Sequence, residues 1–228
     1  MGKRGPKPRW RKFVWTPGFA YAVGLFATDG CMYNDGRHLS FVSADMDLVK
    51  TFKQCFGLKN KIGYKTGGYN NKKCPHVQWG DVAMYQFFLS MGLTPKKSKI
   101  LGPLKIPAKF FFDFLRGAID GDGSFYSYFD PRWRSSFMFY LSLSSGSKKF
   151  IDWIRKEIED RLGIRGHIGF HQAKNVYQIK YAKADSLKIL EKMYYDPTVV
   201  CLKRKHVKIE TALKKNRQLD KLRASGGT

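Results

Sequence analysis

The sequence predicts an α+β fold of two pseudo-symmetric halves, each running αββαββα around an antiparallel sheet. Three observations predict it. Stretches of helical period and stretches of two-residue alternation follow one another twice in the same order. Landmarks recur between the two runs: Asp29-Gly30 with Asp122-Gly123, Ile62-Gly63 with Ile168-Gly169, Gln78 with Gln178, and Pro95 with Pro197, at offsets of 93, 106, 100 and 102. That drift is what loop insertions between two diverged copies of one unit produce. Finally, 228 residues with 43% hydrophobic and 15% aromatic side chains can bury a sizeable core, which excludes disorder throughout.

Each element has a local reason. Residues 1–15 carry Lys3, Arg4, Lys7, Arg9, Arg11 and Lys12 among Gly and Pro, the composition of a basic flexible arm suited to a narrow groove. The first half spans 16–92. Thr16 is placed to cap a helix with Pro17 at its first position, and Asp29-Gly30 ends that helix. Residues 31–44 read as a hairpin turning at Asn34-Asp35-Gly36, and Asp45 caps a helix to about Phe56. Residues 59–79 hold two more strands around Gly67-Gly68, and 81–91 a helix. Residues 93–107, with Pro95, Pro103 and Pro107, read as a linker. The second half spans 108–201: a helix over 108–121, strands to about 144, a helix from Ser147 to Leu162, strands over 164–181 and a helix over 184–194. A basic amphipathic helix and tail occupy 202–228.

The charge narrows the partner. Forty-two Lys+Arg against 18 Asp+Glu leave +24, a field that concentrates a polyanion. No apolar run reaches the length of a membrane span, and no apolar segment follows the basic N-terminus as in a secretory signal. Cys31, Cys55, Cys74 and Cys201 are widely spaced without a CxxC pair, so neither a zinc knuckle nor a disulfide framework is indicated. These features predict a non-secreted, intracellular protein, in a bacterial cytoplasm or an organelle matrix alike, that makes no membrane contact. His167 and His171 lie on a strand and make no obvious metal pair. Asp120-Gly-Asp-Gly123 lacks the distal Glu of a calcium loop, and no Walker A motif is present.

The most informative segments are Ala22-Val-Gly-Leu-Phe-Ala-Thr-Asp-Gly30 and Leu115-Arg-Gly-Ala-Ile-Asp-Gly-Asp-Gly123. Gly24 and Thr28, like Gly117 and Gly121, stand four apart, so each helix carries a small-residue stripe that lets two backbones approach. Glycine inside a helix costs about 1 kcal/mol relative to alanine, and acceptance of that cost in both copies points to a half-half interface along Gly24, Thr28, Gly117 and Gly121. Each helix then ends in an aspartate facing the negative end of its own dipole. Side by side, Asp29 and Asp122 would also repel one another. A hard divalent cation would relieve both penalties.

These segments resemble the motif of the LAGLIDADG homing endonucleases, in the single-chain form with two copies. The resemblance covers about residues 17–215. It is specific in LRGAIDGDG and looser in AVGLFATDG, which lacks the first Leu and the central Asp. Asp120 fills the earlier, non-catalytic acidic slot of the second motif, where the first has Ala27. The resemblance implies a monomeric site-specific double-strand DNA endonuclease of the kind that serves intron homing, leaving short cohesive 3' overhangs. It implies that Asp29 and Asp122, with the backbone carbonyls of Thr28 and Gly121, bind Mg²⁺ between the scissile phosphates, with Ca²⁺ binding but not supporting efficient cleavage. It also implies a catalytic lysine in each half: Lys97, chosen over Lys96 and Lys99, and Lys205.

The strands supply a reading surface. Phe137, Phe139, Leu141 and Leu143 point one way, and Arg134, Ser136, Tyr140 and Ser142 the other. Arg165, His167 and His171 oppose Ile164, Ile168 and Phe170; Gln178 and Lys180 oppose Tyr177, Ile179 and Tyr181. In the first copy Lys59, Lys61 and Lys65 alternate with Ile62 and Tyr64, and His76 and Gln78 with Val77 and Trp79. Arg37 and Ser40 belong to the first hairpin, and Asn70, Lys72 and Arg132 to hairpin tips. Such polar ribbons suit a major groove, and two unlike sets predict an asymmetric target, with the halves packed as a DNA-binding saddle. A noncatalytic binder on the same scaffold, an RNA maturase assisting its host intron or a DNA-binding repressor, is the competing reading. Host intron RNA is accordingly a second candidate partner. Retention of both aspartates favours cleavage.

Overall fold

The computed structural model describes residues 12–66, 73–133 and 136–225. Its first half contains α1 (Pro17–Asp29), β1 (Gly30–Met32), β2 (His38–Val42), α2 (Met46–Phe56), β3 (Gly63–Thr66), β4 (Lys73–Gly80) and α3 (Val82–Met91). The second contains α4 (Phe111–Asp122), β5 (Gly123–Phe129), β6 (Phe137–Ser145), α5 (Lys148–Leu162), β7 (His167–His171), β8 (Val176–Tyr181) and α6 (Lys183–Met193), followed by α7 (Lys203–Ala224). Each half is αββαββα, and the fold is α+β. The sheet orders match, β1-β2-β4-β3 and β5-β6-β8-β7, with every neighbouring pair antiparallel.

Local chemistry starts the helices of the first half. Thr16 accepts from the Phe19 amide at 3.1 Å, with Pro17 in the first turn. Asp45 accepts from the amides of Asp47 and Leu48, and Asp81 from that of Met84. Gly57 and Gly92 end α2 and α3 in the left-handed region that glycine enters without strain.

Alternation decides which sheet face is covered. Leu39, Phe41, Val77 and Trp79 in one sheet, and Phe139, Leu141, Leu143 and Ile179 in the other, lie under the helices at no more than 4% exposure. Phe41 stacks on Phe52 of α2 with ring centroids 4.0 Å apart, and Phe26 of α1 packs on Phe88 of α3. The segment between the halves is also packed: Leu93, Leu101 and Leu104 are core residues. Near the start of the described chain, Phe13 and Trp15 pack against Phe19 and Phe87.

α1 and α4 lie against each other along their length. A Cβ added at Gly24 would strike the backbone of Phe114 and Ala118, and one at Gly117 the backbone of Tyr21 and Leu25. The close approach between the halves is therefore a backbone contact, and only glycine leaves room for it. α7 covers the helix side of the second sheet, burying Ile209 and Ala212, the latter against Phe137 and Phe139. Among the described residues, no helix is long and apolar enough to cross a membrane.

Candidate functional site

α1 and α4 end at equivalent points, each passing directly into the first strand of its sheet. The glycines at these junctions, Gly30 and Gly123, have extended backbones with φ of −79° and −91°. Glycine is needed there for space: a Cβ would run into Phe26 at Gly30 and into the Ile119 backbone at Gly123. The sharp exit leaves Asp29 and Asp122 as the last residues of the two helices. Across the seam, Gly121 is pressed against the Thr28 side chain, and a Cβ on it would stand 2.8 Å from Asp29 Oδ2. Asp29, Thr28 and Gly121 thus meet in one place, and Asp122 and Thr28 line a small cavity of about 80 Å³ beside it, with Ser98 and Ser144.

The electrostatics follow from this placement. Burial, and then the charge of Asp122, raise the Asp29 carboxyl from 3.8 to about 6, against the opposing pull of Lys97 and Lys205. Burial also raises Asp122, again opposed by Lys97 and Lys205. Repulsion within such a pair makes the second ionisation harder, a property of the two carboxyls together.

Two ammonium groups, one buried and one half-buried, face these carboxylates. Lys97, 6% exposed, sits in a short 3-10 turn and donates to the carbonyls of Thr28 (3.4 Å) and Gly30. Lys205, in the first turn of α7, donates to the carbonyls of Ile119 (2.6 Å), Asp120 (2.9 Å) and Gly123 (2.6 Å). Each lysine therefore supplies a positive charge to the negative end of one motif helix. Burial lowers both, Lys97 to about 8, although Asp29 and Asp122 pull in the other direction. Of the three lysines in this turn, Lys97 is the one whose ammonium bonds to the carbonyls at the end of α1, which distinguishes it from Lys96 and Lys99.

The donor set fits a hard divalent cation. Two carboxylates whose ionised forms are disfavoured by burial stand beside main-chain oxygens at two helix C-termini, and a cation would stabilise both. Among the described residues no group of three or more His, Cys, Asp or Glu side chains gathers anywhere. A metal here would depend on the carbonyls of Thr28 and Gly121 and on oxygens brought by a substrate.

Several polar residues read from strand alternation do stand on the open face. Lys65, Gln78, His167 and His171 are exposed, and His76, Gln178 and Lys180 half-buried. Others differ from expectation. β3 begins at Gly63, so Lys59 and Lys61 lie in the preceding loop and do not alternate on the strand. Tyr64, grouped with the covered residues, is 61% exposed on β3, an edge strand of its sheet. Ser40 and Ser142 are 3% and 2% exposed, and Ser142 is bonded to Ser124 at 2.9 Å, so neither presents a free hydroxyl. Arg132 folds back onto the Asp130 carboxylate through two bonds, at 3.2 and 3.1 Å. Arg37 and Arg165 are exposed in loops, and Ser136 precedes β6. Asn70, Lys72 and Arg134 lie outside the described residues.

Sequence reasoning placed Tyr140 and Lys180 on the open face but missed the aromatic patch around them. Tyr126 and Tyr128 of β5 stack beside Tyr140 of β6, with the Lys180 ammonium over the rings of Tyr126 (5.8 Å) and Tyr140 (5.4 Å). Near the β5–β6 hairpin tip, Trp133 is 70% exposed. The alternation of Tyr126 and Tyr128 with Phe125, Ser127 and Phe129 was the available signal.

Comparison with known proteins gives a result at the level of structure. No family model and no curated protein matches the sequence. Among solved structures, the chain is similar to I-WcaI bound to its DNA recognition sequence, with a TM-score of 0.56 and 14% identity over 82% of this chain and 85% of that one. It is similar to full-length DUF199/WhiA from Thermatoga maritima, with a TM-score of 0.55 and 14% identity over 94% and 69%. A third is the homing endonuclease I-DmoI, in complex with DNA and Mn, with a TM-score of 0.52 and 15% identity over 79% and 97%. The fold is LAGLIDADG-like. In this LAGLIDADG-like fold the two motif helices are α1 and α4, which end at Asp29 and Asp122 where the first strand of each sheet begins.

Proposed function

We propose that this chain is a site-specific DNA endonuclease that hydrolyses one phosphodiester in each strand of a long asymmetric duplex target, leaving short cohesive 3' overhangs. The observation that carries the reading is the paired helix terminus: two aspartates at matched ends of two packed helices, each end also holding a lysine whose ammonium bonds to its carbonyls. A merely structural helix stop has no need of a carboxylate against the dipole, still less of two that repel one another.

In this reading the polar sheet faces and the +24 charge hold the duplex, with phosphate contacts supplying affinity and base-edge contacts specificity. Asp29 and Asp122, with the carbonyls of Thr28 and Gly121, would hold Mg²⁺. Bound there, the metal supplies Lewis-acid activation of water and neutralises charge on the phosphate. Lys97 and Lys205 stand one beside each helix end, where an ammonium orients a water or a phosphate oxygen for one strand. The similarity to I-WcaI with its DNA sequence, and to I-DmoI with DNA and Mn or Ca, supports duplex DNA and a divalent metal as partners.

The test is cleavage selection on a randomised double-stranded DNA library with Mg²⁺, beside Ca²⁺ and an Asp29→Asn/Asp122→Asn control. Recovery of one asymmetric site, cut with Mg²⁺ and left intact by the control, is the expected result. Enrichment of a bound site without cutting in any metal would replace the endonuclease with a noncatalytic binder.

A further inference from the structure

The two proposed lysines reach equivalent helix ends by unequal means. Lys97 is held by a compact local turn, in which Lys96 takes a left-handed backbone (φ 55°) and the amides of Ile100 and Leu101 both donate to the Lys97 carbonyl. Lys205 comes from a different device. The segment entering α7 is fastened to α4 by Asp120: the Leu202 amide donates to Asp120 Oδ2 at 2.7 Å. The same oxygen accepts from the Tyr21 hydroxyl at 2.8 Å, across the seam between the halves. Asp120 is 2% exposed, so both bonds are shielded from water. One turn further on, Lys205 closes onto the carbonyl of Asp120 itself, at 2.9 Å. At the equivalent point of the first motif stands Ala27, which offers no carboxylate.

We propose that Asp120 is a positioning residue for Lys205 alone: by anchoring the Leu202 amide it fixes where α7 begins, and so places the ammonium over the end of α4. The consequence is an asymmetry in the chemistry. Loss of the Asp120 anchor loosens the lysine of one cleavage centre and leaves that of the other in its own turn. This inference rests on the endonuclease reading for its catalytic half. Its structural half, the anchoring of α7, stands independently.

Two measurements test it. Amide hydrogen exchange on the metal-free protein should show Asp120→Ala accelerating exchange at residues 202–206 by at least tenfold over wild type, with residues 97–101 unchanged. Strand-resolved cleavage of the selected target in a supercoiled plasmid should show the same variant accumulating a nick in one defined strand, with that strand's partner cut at least tenfold more slowly. Asp120→Asn keeps an acceptor for the Leu202 amide and should restore near-equal cutting. Tyr21→Phe removes only the bond across the seam, and should leave the strand balance as in wild type. Equal slowing of both strands, or exchange at 202–206 no faster than in wild type, would overturn the proposal. If wild-type protein cuts no DNA, the endonuclease reading fails, and the exchange result still decides whether Asp120 anchors α7.

Discussion

Asp29 is a residue whose folded environment works against its charge. Its carboxyl is raised from 3.8 to about 6 by burial and by Asp122. A raised carboxyl favours the folded state fully below the unfolded value, and that contribution is lost as pH climbs through about 6. Asp29→Asn should therefore melt a few degrees above wild type at pH 7 in EDTA, on the order of 1–2 kcal/mol, with the advantage shrinking toward pH 4. Thermal scans of both proteins from pH 4 to 8 check this; an Asn variant less stable at pH 7 would contradict the buried-charge account. Mg²⁺ or Ca²⁺ should raise the melting temperature of wild type at pH 7.5, and leave Asp29→Asn/Asp122→Asn unmoved. Cleavage should fall as pH drops through about 6, where Asp29 takes up a proton and ceases to be a good ligand. Asp29 and Asp122 were legible in the sequence because the conflict is local: a carboxylate at a helix C-terminus, repeated. Arg116 was not. It is fully buried, paired with Asp113 at 2.7 Å and donating to the carbonyls of Val200 (2.8 Å) and Met193, partners that arrive only after the chain has traversed the second half.

Elements in this fold were readable to the extent that their ends are governed by neighbours in sequence. The caps at Thr16, Asp45 and Asp81 satisfy amides two or three residues away, so their helices began where expected. Ser147 also precedes a helix, but its hydroxyl donates to the carbonyl of Leu101, because the segment between the halves packs there. Linker composition gave no sign of that. Nor could alternation show that β3 would start at Gly63 and leave Lys59 and Lys61 outside it. The small-residue stripes did point to the seam between α1 and α4, and the seam gives a sharp test. Gly24→Ala or Gly117→Ala forces a methyl group into opposing backbone, which cannot yield as a side chain would. Each should cost at least about 1–3 kcal/mol in urea denaturation, whereas Gly102→Ala, with open space around it, should be near neutral. A silent Gly117→Ala would mean the helices stand further apart than described.

For the whole molecule, the repeat was legible because both copies keep the same order of elements, and the two sheets do share one topology. The differences between the halves were less visible, since they lie in which residues stack or pair on the open faces. One face carries exposed Lys65 and Gln78; the other carries the tyrosine cluster with Lys180. With +24 of charge, affinity for the selected duplex should fall by about 10³ or more between 50 and 200 mM salt, with a steep linear log-log slope, if six or more phosphates are neutralised. A binding titration across that range would check it, and a flat response would argue against a groove-spanning polyanion. The placement of the tryptophans also makes such a titration observable without a label. Trp79 and Trp153 are 4% and 9% exposed, while Trp133 is 70% exposed near the β5–β6 tip. Comparison with a Trp133→Phe variant isolates the emission of this indole, which a soluble quencher can reach and a docked duplex would shield, so the chain carries its own optical gauge of occupancy on the second sheet.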